Sequence, residues 1–266
     1  MKKRFEQEIA GFVEQAALGT QTSWGEPLFA FASAQDPLFG RLKELIGPSH
    51  GLPNELLDNA QTVVTYFLPV DRRIVQSNRR GDDASHEWAV AYIETNQLIV
   101  AINQHLAHVL AKQGYETVVL PPTHNFDEEK LVSDWSHKHV AYIAGLGRFG
   151  LHHMLITAKG CCGRLGSIIT TAPIEATPRP AGEYCLHKHK HKQMCQACVK
   201  KCVGEALTES GLDRQRCYAV CLGNAEIHKK EGLADVCGKC VSVVPCSFEN
   251  PVARSSKSSG THRGTV

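Results

Sequence analysis

Apolar and polar positions divide the chain into two unlike parts. Up to about residue 178, apolar runs alternate with helical patterns, and beyond it long apolar runs stop. Phe5, Ile9, Phe12, Val13 and Ala16 recur at helical spacing between glutamates and predict an amphipathic N-terminal helix. A Gly- and Pro-punctuated stretch follows to about Pro53. Residues 62–68, Thr-Val-Val-Thr-Tyr-Phe-Leu, are β-branched and aromatic and stop at Pro69, the pattern of a buried strand. Trp88, Tyr92, Ile99, Ile102, Leu106, Val109 and Leu110 mark the apolar face of a helix over 85–113, with Gly114 as its stop. Residues 116–120, ended by Pro121-Pro122, and 166–172, ended by Pro173, read as two further strands. Strands alternating with helices predict an α/β domain over 1–178.

The composition changes at Thr177-Pro-Arg-Pro-Ala-Gly182. Residues 179–252 are rich in Cys, Lys and His, as expected of a small module held by metal more than by an apolar core. Residues 253–266 are Ser/Gly-rich and predict a disordered tail. A net charge of +2 offers no basic excess for wrapping a phosphate backbone. The basic start Met1-Lys-Lys-Arg4 is not followed by a signal-type apolar region, because Glu6, Glu8 and Glu14 interrupt it. No stretch approaches the roughly 18 apolar residues of a membrane span. Eleven cysteines without an export signal predict the reducing cytoplasm.

Eight of those cysteines are spaced like ligands of two 4Fe-4S clusters. Cys195-x2-Cys198-x3-Cys202 is followed by Cys217, then by Cys237-x2-Cys240-x5-Cys246, with Cys185 upstream. In two-cluster ferredoxins the last cysteine of one run crosses to the other cluster. That pairs Cys185, Cys195, Cys198 and Cys246 around one cluster, and Cys202, Cys217, Cys237 and Cys240 around the second. Four-cysteine zinc sites also use Cys-x2-Cys pairs but leave Cys202 and the isolated Cys217 unexplained. Two features depart from the bacterial ferredoxin run: nine residues separate Cys185 from Cys195, and Pro245 precedes Cys246. The insert at 186–194 carries His187, His189 and His191, any of which could replace Cys185 as a ligand. The alternative is a solvated basic loop that meets an acidic electron donor. Cys161, Cys162 and Cys221 remain, with packing as the expected role and redox activity of the adjacent pair as the alternative.

The run from Val140 ends in a G-x-G-x-x-G match at Gly145, Gly147 and Gly150. A dinucleotide fold needs these glycines to open a crossover helix, with a carboxylate about 20 residues on. Gly160 and Gly163 come too soon for such a helix, and no carboxylate stands at that distance. Glycines clustered with Arg148 and Phe149 instead suit close approach of backbone to a large planar ligand.

Ala144-Gly-Leu-Gly-Arg-Phe-Gly150, Leu155-Ile-Thr157, Gly166-Ser-Ile-Ile-Thr170 and Ala172-Pro-Ile174, followed by the two-cluster cysteines, resemble the epoxyqueuosine reductase and reductive dehalogenase superfamily. The resemblance covers roughly residues 130–250, and Arg216-Cys217-Tyr218 resembles the isolated ligand between that family's two cysteine runs. It implies a nitroreductase-like domain that binds cobalamin base-off, followed by a ferredoxin-like module that feeds it electrons. Gly145, Gly147, Arg148, Phe149, Gly150, Gly166 and Ser167 are the cofactor-binding residues this suggests. His137 joins them from the group His124, His137, His139, His152 and His153, read as polar contacts lining a pocket. The family's proton-donating Asp would fall on Asp134 or Asp127. Asp134 equally suits the N-cap of a helix starting near Trp135.

Epoxyqueuosine reductases continue past the second cluster into structure that engages tRNA, where this chain stops, so tRNA is not the expected substrate. The expected function is a cytoplasmic oxidoreductase. It would take electrons from a ferredoxin or flavodoxin, through the clusters, to a cobalamin that reduces a small molecule. The alternative is an electron-transfer or corrinoid-activating protein that reduces the cobalt of a partner protein and has no substrate of its own. A third reading is a corrinoid-free iron–sulfur module.

Overall fold

The computed structural model describes residues 2–123, 125–189 and 195–258. The N-terminal pattern forms α1 (Lys2–Ala17), with Phe5, Ile9 and Val13 buried. The Gly/Pro-punctuated stretch holds more than its punctuation suggests: β1 (Leu28–Ser33), α2 (Leu38–Leu45) and the single turn α3 (Pro53–Leu56). β2 (Thr62–Pro69) is buried at every position, and α4 (Arg72–Ser77) follows it. The long helix α5 (His86–Ala111) starts at Ser85, whose hydroxyl accepts from Trp88 N–H. Gly114 follows its end with φ +83. Next come β3 (Thr117–Val119), β4 (Phe126–Asp127), β5 (Val132–Ser133), α6 (His137–Ile143), β6 (Gly147–Phe149), β7 (Leu155–Thr157) and β8 (Gly163–Thr170). The cysteine-rich part adds α7 (Ala197–Lys200), α8 (Arg214–Ile227) and α9 (Pro251–Ser258).

The main sheet runs β1-β2-β8-β3, with every neighbouring pair antiparallel. Helices and strands are thus mixed as the sequence predicts, but the sheet is a stack of antiparallel neighbours. Side chains of β2 alternate with the two-residue period of a strand. Val64, Tyr66 and Leu68 join α1 and the Leu98–Leu110 side of α5 in one apolar layer. Val63 and Phe67 face Phe39 and Leu42 of α2 and Val140 and Ile143 of α6 in the other. A third cluster seals the sheet end to the cysteine-rich part, joining Trp88, Leu151, Ile156, Cys161 and Cys162 to Cys198, Leu207, Val241 and Val244.

Two local expectations change. α6 begins at His137 with Ser136 at its N-cap, so Asp134 does not cap it. Trp135 instead turns inward, 1% exposed, because its ring nitrogen finds a partner in the core at Ser167. In addition, α9 occupies the first part of the segment expected to be disordered, while residues 259–266 lie outside the described residues.

Candidate functional site

Two cavities collect the cysteines. The first is lined by Cys185, Cys195, Cys198 and Cys246, with His152 at its wall. The second, about 360 Å³, is lined by Cys202, Cys217, Cys237 and Cys240, together with Cys161 and Cys221. α7 carries Cys198, and α8 places Cys217 and Cys221 one turn apart on the same face. Gly238, at φ +71, turns the chain between Cys237 and Cys240, and a Cβ there would overlap the Trp88 ring nitrogen. Only glycine permits that turn in that space.

His187 faces Glu209 at 3.6 Å, and His189 donates its backbone N–H to Cys185 O at 2.9 Å. Neither lines the first cavity, and His191 lies outside the described residues. Cys161 and Cys162 are buried at the seam. Their backbone N–H groups donate to Cys246 O at 3.0 Å and Ser247 O at 3.2 Å. Cys162 Sγ also donates to Val241 O at 3.1 Å.

Burial pushes the Cys198 thiol up to about 11 and raises Cys237 and Cys240 as well. Cys217 is brought down to about 7, mainly by its hydrogen bond with Cys221. Cys246 is brought down to about 5, first by a hydrogen bond from Cys161 and then by His152, against the opposing effect of burial. Four crowded sulfurs in a buried space become thiolates together only around a cation, and coordination deprotonates a thiol outright. All-sulfur donor sets of four match iron–sulfur clusters. A single zinc ion accepts the same four-sulfur set.

The residues expected to contact a corrinoid lie elsewhere. Gly145, at φ +86, ends the turn after α6, and β6 and β7 form an antiparallel hairpin, so the three glycines open no helix. A Cβ at Gly145 would press on Pro178–Arg179, at Gly147 on the Ile156 carbonyl, at Gly150 on the His152 ring and at Gly166 on Tyr66. Arg148 donates to the Tyr142 hydroxyl at 2.9 Å and to Pro180 O. Phe149 packs on the rings of His139 and Tyr142. Trp135 Nε1 donates to Ser167 Oγ at 2.9 Å, Ser167 Oγ lies 2.8 Å from His137 Nδ1, and His137 Nε2 donates to Pro121 O at 2.8 Å. That chain is complete within the protein. None of these eight residues lines either cavity.

The remaining histidines divide. His139 bonds Ser136 and falls to about 4, through burial first and then Lys138. His152 reaches both cavities and His153 the second. His124 lies outside the described residues. Asp127 accepts from the backbone N–H groups of Glu129 and Lys130, which hold its carboxyl below the usual range, opposite to what a proton donor needs. Asp134 is half-buried, and neither aspartate lines a cavity.

Instead, Trp88, Tyr92, Lys138, Arg164 and Asp235 form the wall of the second cavity beyond its cysteines. Tyr92 Oη donates to Asp235 at 2.6 Å, and the Arg164 guanidinium lies 4.1 Å over the Tyr92 ring. Burial is the main reason the Tyr92 hydroxyl rises to about 12. Trp88 Nε1 and Arg164 Nε are buried without a hydrogen-bond partner. In sequence Trp88 and Tyr92 look like core positions of α5. Asp235, two residues before Cys237, was the one visible cue.

By fold this is a mixed α/β chain closed against a cysteine-rich module, and solved structures share that architecture. An epoxyqueuosine reductase from Bacillus subtilis superposes with a TM-score of 0.55 at 20% identity, covering 91% of this chain and 66% of that one. An epoxyqueuosine reductase with an epoxyqueuosine-modified tRNA stem loop gives 0.53 at 18% identity, with 91% and 66% covered. A catabolic reductive dehalogenase in complex with 3-bromo-4-hydroxybenzoic acid gives 0.57 at 16% identity, covering 88% of this chain and 32% of that one. The chain therefore spans about two thirds of the reductases and about a third of the dehalogenase. No family profile matches the sequence, and no curated protein matches it. The fold is that of the epoxyqueuosine reductases and reductive dehalogenases.

Proposed function

We propose that the chain is an iron–sulfur oxidoreductase that passes electrons through two 4Fe-4S clusters to an acceptor bound beside the second cluster. The observation that carries this is the separation of the eight spaced cysteines, Cys185, Cys195, Cys198 and Cys246 lining one cavity and Cys202, Cys217, Cys237 and Cys240 the other, which Cys161 and Cys221 also line. Bound clusters supply one-electron transfer at low potential. The chain's own part is to hold them in the ferredoxin-like unit, 179–252, and to seal them with the apolar seam to the nitroreductase-like unit, 1–178.

The acceptor is a cobalamin, which supplies cobalt redox chemistry when bound. The residues that would hold it are Trp88, Tyr92, Lys138 and Arg164, in place of the glycine hairpin. Two buried donors without partners, Trp88 Nε1 and Arg164 Nε, favour a ligand rich in acceptors, as the amide-fringed corrin is. Tyr92 keeps its proton at neutral pH and donates it in a hydrogen bond to Asp235, so this pair could supply a proton at the second cavity. A ferredoxin or flavodoxin in the cytoplasm is the electron source, and the substrate is a small molecule. A second reading draws on the position of Asp127 and Asp134, which line neither cavity. If the Tyr92–Asp235 pair does not take over that role, the chain would instead re-reduce the corrinoid of a partner protein.

The test is a titration of the iron-loaded protein with hydroxocobalamin, followed by its visible spectrum. One equivalent should bind, and Arg164→Leu should weaken binding about tenfold, the effect of losing roughly 1.4 kcal/mol. No binding by protein with its full iron complement would reduce the function to electron carriage.

A further inference from the structure

His152 is 4% exposed and belongs to the turn that joins β6 to β7. Met154 N–H donates to its Nδ1 at 3.1 Å, which leaves the ring proton of the neutral imidazole on Nε2. Nε2 lies 3.3 Å from Cys246 Sγ. The ring is held from both sides: Met154 N–H fixes its edge, and it occupies the space a side chain at Gly150 would need. Outside the assigned ligand set, the buried Cys161 Sγ also lies 4.0 Å from Cys246 Sγ. None of the cluster-spacing or glycine motifs includes His152, and the fold brings it to Cys246 across 94 positions of sequence.

We propose that His152 is a positioning residue for the cluster held by Cys185, Cys195, Cys198 and Cys246, its Nε2–H donating to the Cys246 sulfur and raising that cluster's reduction potential. The inference rests on reading those four cysteines as a cluster site. Reduction adds one electron from the donor and no proton, so negative charge on the sulfurs grows. A hydrogen bond to a sulfur strengthens as that charge grows, which favours the reduced state. His152 also lines the second cavity, but its Nε2 hydrogen bond goes to Cys246 and not to a cysteine assigned to the second cluster, which therefore keeps its own potential.

The experiment is an EPR-monitored redox titration of the full chain with its clusters loaded anaerobically, on wild type, His152→Phe and His152→Gln. A Cys198→Ala variant identifies which signal belongs to the first site. His152→Phe should lower the equilibrium constant for reduction at that site about tenfold, about 59 mV for a one-electron couple. The second signal should not move, and His152→Gln, which keeps an N–H within reach of Cys246, should restore the wild-type value. Loss of the first cluster in His152→Phe alone, with His152→Gln loaded at wild-type potential, would support the same role. An unchanged first-site potential in iron-replete His152→Phe overturns the inference alone, as does an equal shift or equal loss in both variants. A wild type with no signal that depends on Cys198 overturns the inference together with the cluster reading beneath it.

Discussion

Single residues separate what local spacing reveals from what only folding assembles. The cysteine runs were legible because ligand spacing is a local property of the chain. Ser167 and His137 were singled out as cofactor contacts, yet in the fold Ser167 satisfies the buried Trp135 nitrogen and His137 bonds Ser167 in turn. Ser167→Ala should therefore cost about 1–3 kcal/mol in urea unfolding, because it leaves buried groups unpaired. It should leave iron content and hydroxocobalamin binding unchanged. His139 gives a pH signature. Its folded-state pKa of about 4 lies below the unfolded value near 6.5. The unfolded chain therefore binds its proton first as pH falls, and stability present above about pH 6.5 is lost progressively down to about 4. The slope from this residue is at most about 1.4 kcal/mol per pH unit. His139→Gln should flatten that part of the urea-midpoint profile relative to wild type, and an unaltered profile would contradict the assignment.

At the scale of elements, strong periodicity was readable and short apolar runs were not. α5 and β2 carry long patterns and appear where the sequence places them. β1 was hidden because Leu28–Ser33 mixes alanine and phenylalanine without a polar alternation, and it is defined by its pairing with β2. The glycine motif was visible as a special backbone, but its hairpin depends on β7, which supplies the carbonyl that only glycine at 147 can approach. Gly147→Ala should destabilise the fold by about 1–3 kcal/mol through overpacking. Gly11 makes the contrast, since it lies in α1 with open space around its Cβ position. Gly11→Ala should stabilise by about 0.5–1 kcal/mol. Thermal or urea unfolding of the two variants should shift in opposite directions.

The whole molecule joins two kinds of stability. The sheet and its helices bury continuous apolar layers, whereas the cysteine-rich part contributes mostly short helices, turns and thiols. Among the described residues no helix is long and apolar enough to cross a membrane. Backbone bonds from Cys161 and Cys162 to Cys246 and Ser247 tie the two parts. Removing iron with a chelator should raise amide exchange across residues 195–250 while β2 and α5 stay protected, as expected where metal binding supplies folding energy. The measurement that bears most directly on the central claim is iron and acid-labile sulfide per chain in anaerobically prepared wild type, Cys198→Ala and Cys240→Ala. Two independent sites predict about eight irons in the wild type and about four in each variant. About one or two zinc ions in place of iron and sulfide, or a variant that loses all its iron at once, would contradict two separate four-cysteine clusters.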